Sequence, residues 1–471
     1  MPTGIASTQP FRHGDELVRR RVRVEQGERH DEADEDRRAA ADEQPDPEPY
    51  VLQVVDRFAA GPGYHGSVGS ITGTPQLARN VKRVSRLELP GAGQIYVAGK
   101  YAYVGHITNR QQLGTSILDV SDARNPKLLG QIKVDEPDSH SHKTRVIGDL
   151  MIVNVEQNMG ALGRKGVDGN AEQSSYDHGG FKLYDVSDRS RPKLIRHQKT
   201  WGRGVHRFDM DEHYAYISTE MQGYVGNILV VYDIRDPAKP QEVSRWWMPG
   251  QHTAGGEKPT WQGRRNRLHH ALRFGDELFA GLWHGGIAMI DVSDIRRPRT
   301  LGAYNYHPPF PEPSHTFMPV PERVDGRRIA VAIDEEDHAH SAEELTKRKG
   351  RPHGCLWTFD VTNPAEMKPL AIFEVSELDS PWSRATPARF GAHQFQEHMQ
   401  GTLVYCAWFS GGLRIVDVAD PGAPQEVGFF IPEPAAGKPA PQTNDVDVDE
   451  KGLVYIVDRY TGFDILEFNG R

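Results

Sequence analysis

The chain has 471 residues, a formal net charge of −9, 37% hydrophobic residues and 26% charged residues. Glycine (47) and proline (33) are abundant, so turns are frequent, while two cysteines cannot build a disulfide framework or a zinc ribbon. An acidic chain without a basic stripe is a poor nucleic-acid binder, and no apolar run is long enough to cross a bilayer. No apolar leader opens the sequence, so a cytoplasmic protein is expected, without nucleic acid or membrane as partner. Histidine is the outlier, with 21 residues.

Residues 12–48 hold eight Arg and thirteen Asp or Glu, −5 of the total charge, and no aromatic residue. Such a segment buries too little to offset the cost of ordering it. Residues 1–50 are therefore predicted as a disordered acidic arm, 51–79 as an extended lead-in, and 80–471 as the folded domain.

From residue 80 onward one phrase recurs: an apolar strand ending in Asp-Val or Asp-Ile, a polar turn, a proline and another short strand. The copies lead with Asp119, Asp185, Asp233, Asp291, Asp360 and Asp417, and a seventh with Asp464 ends without its turn. Two earlier strands precede each copy. Four short strands repeated in this way predict an all-β protein, a seven-bladed β-propeller. The last unit lacks a fourth strand, and an orphan strand over 81–89 matches that place. The N-terminal strand should therefore complete the last blade and close the ring, removing exposed sheet edges.

The repeated phrase, as in Leu118-Asp119-Val120-Ser121-Asp122 with Pro126, resembles the LVIVD-repeat family of β-propellers over residues 80–468. A looser resemblance is to the selenium-binding protein / methanethiol oxidase family, also propellers. It is carried by Ser141-His142 leading to Gly148–Val153, by Ile217-Ser218-Thr219-Glu220, and by Trp283-His284-Gly285-Gly286 running into Asp291–Asp294. That family's cysteine motif is not visible here. The resemblance implies oxidation of a small molecule.

The histidines fall in register. Counting back eight residues from the second strand of a unit reaches His142, His206, His270 and Asp445. The fifth and sixth units open with His315 and His393, and the first with Gly93. Equivalent starts of inner strands converge on one mouth of a propeller channel. His142, His206, His270, His315, His393 and Asp445 are thus the expected metal ligands, some of them supporting others. Copper or iron is favoured; zinc or manganese also suits imidazole.

A second ring is expected at the ends of the second strands: His106, Glu156, Glu220, His284, Glu335 and Arg459. Glu156 and Glu220 are the expected catalytic carboxylates, orienting ligands or moving protons; His106, His284, Glu335 and Arg459 are expected around them. The long loops 157–180, 248–268, 334–354, 374–391 and 431–443 lie at the same mouth, with 157–180 a candidate lid. His269 is expected to be structural. His338, His340 and His353 are expected in solvent, and Cys355 and Cys406 as inert strand residues.

The expected function is a metal-dependent oxidoreductase, an oxidase or oxygenase acting on a small molecule. A metal-dependent hydrolase or lyase and a non-catalytic scaffold for protein partners are the alternatives.

Overall fold

The structure is a computed structural model that describes residues 77–107, 112–136, 138–158, 176–261, 266–337, 352–382 and 388–470. The predicted arm, the lead-in up to residue 76 and most of the 157–180 and 334–354 loops lie outside them. The described chain is all-β, and no helix in it is long and apolar enough to cross a membrane.

Strands pair antiparallel in successive sets of four. The first set is Ala92–Ala98, Tyr101–His106, Leu113–Asp119 and Lys127–Lys133. In the second, the short strands Ser139–His140 and Thr144–Ile147 both pair with Leu150–Gln157, followed by Gly180–Asp185 and Lys193–Lys199. The third is Trp201–Met210, Tyr214–Glu220, Asn227–Asp233 and Gln241–Trp246. The fourth is Asn266–Phe274, Glu277–Trp283, Ile287–Asp291 and Arg299–Tyr304. The fifth is Ser314–Pro319, Ile329–Asp334, Leu356–Asp360 and Lys368–Phe373. The sixth is Ala392–Phe395, Leu403–Trp408, Gly412–Asp417 and Gln425–Phe430. The last is Thr443–Val448, Leu453–Asp458, Thr461–Phe468 and Val81–Pro90.

The first strands of these sets touch one another in cyclic order, from Ala92–Ala98 through Thr443–Val448 and back. They line a central channel in a propeller-like arrangement. Apolar clusters fill the space between neighbouring sets. One joins Tyr103 and Ile117 of the first set to Met151, Val153 and Tyr184 of the second, all buried. Burial of such faces is the main favourable term.

The turn residues explain why the phrase repeats. The Oδ1 atoms of Asp119, Asp185, Asp233, Asp291, Asp360 and Asp417 each accept the backbone N–H two residues on, at 2.8–3.0 Å. Asp122, Asp188, Asp236, Asp294 and Asp420 do the same at 2.9–3.1 Å. Each aspartate thereby folds its own turn. Asp464 departs from this pattern. Leu453 pairs with Glu467 as Tyr101 pairs with Asp119, so Asp464 sits three residues too early. It instead faces Arg83 (2.7 Å) and Arg86 (2.9 Å) on the closing strand.

That closing strand pairs along its length with Thr461–Phe468, from Val81 opposite Phe468 to Pro90 opposite Thr461. Just before it, Ala78–Arg79 pairs with Phe429–Phe430 of the sixth set, and Arg79 meets Glu426 at 2.8 Å. The segment therefore staples the last two sets together. A variant lacking residues 1–90 should lose its cooperative thermal transition and self-associate through the bared edge of Thr461–Phe468. Size-exclusion chromatography and a melting curve check this; a monomer with an unchanged transition would contradict it.

Candidate functional site

Most of the first strands carry a β-bulge near one end. Register slips between Ala92 and Gln94, Val205 and Arg207, Asn266 and His270, Ser314 and Thr316, Ala392 and Gln394, and Thr443 and Asp445. In the second set His142 falls at the equivalent place, just before Lys143, whose N–H bonds Asn154 Oδ1 at 2.9 Å. A bulge sets two residues against one and re-aims the extra side chain. The extra residues are Gly93, His142, His206, His269, His315, His393 and Asn444.

Five imidazoles consequently form a continuous arc. Ring centroids are 5.9 Å apart for His142–His206, 4.8 Å for His206–His269, 3.8 Å for His269–His315 and 4.5 Å for His315–His393. Two sequence expectations need correction. The second strand of the fourth set begins at Glu277, one residue before the point used for counting, so His269 occupies the arc and His270 does not. In the last set the first hairpin is one residue longer: Val448 pairs with Val454, where Met210 pairs with Ala215. Asn444 therefore takes the place expected of Asp445.

Four of the rings donate through Nδ1, while His142 Nδ1 accepts from Asn154 Nδ2 at 3.4 Å. His206 Nδ1 donates to Glu156 at 2.9 Å, and His269 Nδ1 to the His315 carbonyl at 2.7 Å. His315 Nδ1 donates to Gln394 Oε1 at 3.1 Å, and His393 Nδ1 to the Asn444 carbonyl. Acceptors on Nδ1 fix its proton and leave the Nε2 lone pair to a ligand. Burial holds all five imidazoles below their ordinary pKa, keeping them neutral.

Among the described residues, two groups bring two imidazoles and a carboxylate within 4.8 Å: His315, His393 and Glu335, and His140, His142 and Glu156. Glu335 lies 3.9 Å from His315 Nε2 and 3.7 Å from His393 Nε2, beyond hydrogen-bond length. Metal–ligand bonds of ~2.0–2.1 Å place two tetrahedral ligands about 3.3 Å apart, so an ion fits with a small closure. In the other group His140 Nε2 is hydrogen-bonded to Glu156 at 3.0 Å. Sequence reading missed His140. Its signal was the spacing His140-Ser141-His142, which sets both rings on one face of an extended segment.

The second strands end in a second ring, six residues from each strand start: Glu156, Glu220, Trp283, Glu335, Phe409 and Arg459. Glu156 holds His140 and His206. Glu220 instead accepts Arg203 N at 2.8 Å and Nε at 3.3 Å, away from the imidazoles. Arg459 donates to Asn444 Oδ1 at 2.8 Å. His106 lies one residue short of this ring, buried, bonded to Ser116 Oγ at 2.7 Å and to the Pro90 carbonyl at 2.9 Å. His284 is also displaced. The chain turns at Trp283 (φ 51°), which puts Trp283 against His269 at 5.2 Å and His284 beside His307 at 5.6 Å. Phe409 lies 4.8 Å from His393.

Beyond the bulges lies a charged layer. Glu397 is the hub, paired with Arg145 and Arg207 and 3.6 Å from His270 Nδ1. Its cationic neighbours hold its carboxyl well below the usual range. Asp445 belongs here, accepting Ile95 N at 3.2 Å, and burial pushes its carboxyl up to about 7. Lys143 joins them, and burial lowers its ammonium to about 7. Below this layer a cavity of about 480 Å³ opens, lined by Arg145, Asp209, Arg273, Glu397 and His398 among others. Glu397 thus separates that cavity from the imidazole arc.

Other expectations resolve plainly. Cys355 and Cys406 are free, buried strand-end and strand residues, with thiols pushed up by burial. His353 is not a solvent residue. It sits between Glu336 (2.7 Å) and Glu377 (3.0 Å), which raise it to about 9. His338 and His340 lie outside the described residues.

Two measurements follow from these charges. Glu397→Gln leaves Arg145 and Arg207 without their shared carboxylate and should cost about 3 kcal/mol in urea unfolding; a loss below ~1 kcal/mol would refute the hub. His353 gains its proton's partners on folding, so its stabilisation is present below the unfolded value of 6.5 and lost as pH rises through about 9. The stability difference between the native chain and His353→Gln should be roughly 2 kcal/mol at pH 6 and vanish near pH 10, allowing for partial exposure. A pH-independent difference would contradict this.

The LVIVD repeat family model matches residues 91–134, 209–246 and 399–431, which fall in the first, third and sixth sets. No curated protein matches the chain. Among solved structures, a chain of the mitotic checkpoint complex is similar with a TM-score of 0.50 and 9% identity, covering 88% of this chain and 98% of that one. The WD40 β-propeller domain of Doa1 gives a TM-score of 0.46 and 8% identity, covering 82% of this chain and 96% of that one.

Proposed function

We propose that this chain, which carries LVIVD repeats, is a seven-bladed propeller enzyme that binds a transition metal in its histidine arc. The blade count is supported by the cyclic contacts of the first strands and by the closing strand 81–90. The observation that carries the function is the group His315, His393 and Glu335. Two imidazoles and one carboxylate with positions left open suit a non-haem iron; copper is the next choice. The bound metal would supply dioxygen activation, and the reaction class is oxidation of a small molecule with dioxygen as oxidant.

The chain's own residues have separate tasks in this reading. Gln394 and the Asn444 carbonyl hold the two imidazoles by Nδ1, so neither ring can rotate away. Arg389 holds Glu335 at 2.7 Å and fixes its orientation. Phe409 packs on His393 at 4.8 Å and Trp283 on His269 at 5.2 Å, giving the arc aromatic neighbours. Glu156, set between His140 and His206, orients both imidazoles at the mouth. Glu220 is committed to Arg203 and has no such task. Free thiols at Cys355 and Cys406 support a reducing, cytoplasmic setting.

Elemental analysis of the purified chain tests the reading. It should carry near-stoichiometric iron or copper. His315→Ala and His393→Ala should each fold and lose at least nine-tenths of it. A chain that is metal-free and gains none on addition would overturn the proposal, as would full metal content in either variant.

A further inference from the structure

The histidine arc is incomplete on one side. Gly93 and Asn444 stand where the other sets place imidazoles, and over this gap three basic side chains gather. Lys143 is 3% exposed, and its Nζ donates to the Gly93 carbonyl at 3.1 Å. Asn444 Nδ2 donates to the same carbonyl at 2.9 Å, while Asn444 Oδ1 takes Arg459 Nη1 at 2.8 Å. Lys143 and Arg459 therefore flank one Gly93–Asn444 pair. Gln442 links Arg459 to Arg389: its carbonyl accepts Arg459 N at 2.9 Å, and its Nε2 donates to the Arg389 carbonyl at 2.8 Å. Arg389 is 4% exposed, and its Nε is buried with no acceptor among the described residues.

The nearby carboxylates leave two of these groups without a direct contact. Glu335 takes Arg389 Nη1 at 2.7 Å and, among the described residues, is the one acidic side chain touching any of the three. Asp445 accepts the N–H of Ile95 and of Val446, and Asp458 those of Gln442 and Tyr460. Those oxygens are held by backbone amides and do not touch the three basic side chains. Lys143 and Arg459 thus make no direct ion pair among the described residues, and the one carboxylate in contact, Glu335, also belongs to the metal group. Gly93 keeps the gap narrow as well as open. A Cβ there would meet the His142 side chain and carbonyl at 2.7–2.9 Å.

We propose that Lys143, Arg389 and Arg459 form an anion subsite that holds an oxyanion group of the substrate, a carboxylate or a phosphate, against the gap in the arc. Guanidinium forks give directional paired hydrogen bonds to such a group, and the lysine adds a point charge. The remainder of the substrate then faces His315, His393 and Glu335. The word substrate rests on the proposed enzyme; the binding of an anion does not.

The test uses the full chain after chelator treatment, so that no metal competes for the anion. Isothermal titration calorimetry with oxalate and with inorganic phosphate should show saturable binding of at least one, with chloride as the control. Arg459→Gln should weaken that binding at least tenfold while its metal uptake stays at the native level. Should Arg459→Gln fail to fold, Lys143→Gln is measured instead, with the same tenfold loss expected. No binding of either anion, or an unchanged affinity in the folded variant, would overturn the subsite. Metal uptake on the same samples keeps the two proposals apart. Metal without anion binding sinks the subsite alone, and anion binding without metal sinks the enzyme reading alone.

Discussion

One extra residue per inner strand organises this molecule. Each bulge turns a side chain towards the axis at the same depth, and a closed ring makes those side chains meet. Neither feature suffices alone. Without closure by Val81–Pro90, the first and last sets would not adjoin, and Asn444 and Gly93 would not lie side by side. Without the bulge, alternation along the strand would aim the same residues into the packing between sets. The arc is therefore a property of the topology rather than of any single loop.

Packing so many polar groups along an axis has a cost, and the structure meets it by hydrogen bonding. A buried neutral imidazole is tolerable when one nitrogen is bonded, and all five arc rings are bonded through Nδ1, four as donors and His142 as acceptor. Beneath them the charges are matched around Glu397, which two arginines share. Above the gap at Gly93, Lys143 and Arg459 have no carboxylate in direct contact among the described residues. Basic side chains left with free donors are what a site for an anionic guest needs.

Much of the fold was legible because the repeat is built from local chemistry. Asp119 and its counterparts fold their own turns through a bond two residues long, so they mark each unit in the sequence. The closing strand was visible as an orphan that matched a missing fourth strand. The seventh copy misled for the same reason: Asp464 has the look of a turn aspartate but answers Arg83 and Arg86 across the closing pair. The site was legible in outline and wrong by one residue in two places. A bulge and a longer hairpin change register without changing composition, so His269 and Asn444 could not be told from His270 and Asp445 by counting. Trp283 was missed in the same way, with His284 expected in its place, because the turn at Trp283 changes which residue faces the axis. Partners of charge, such as Glu220 with Arg203, depend on the fold and leave no trace in spacing.

The central claim is that the arc holds a metal between His315, His393 and Glu335. Anomalous diffraction at the iron and copper absorption edges, from crystals of the protein as purified, tests it most directly. The account predicts a single strong peak about 2.0–2.2 Å from both Nε2 atoms and from a Glu335 oxygen. Data without a peak there, or with the metal bound elsewhere on the chain, would contradict it.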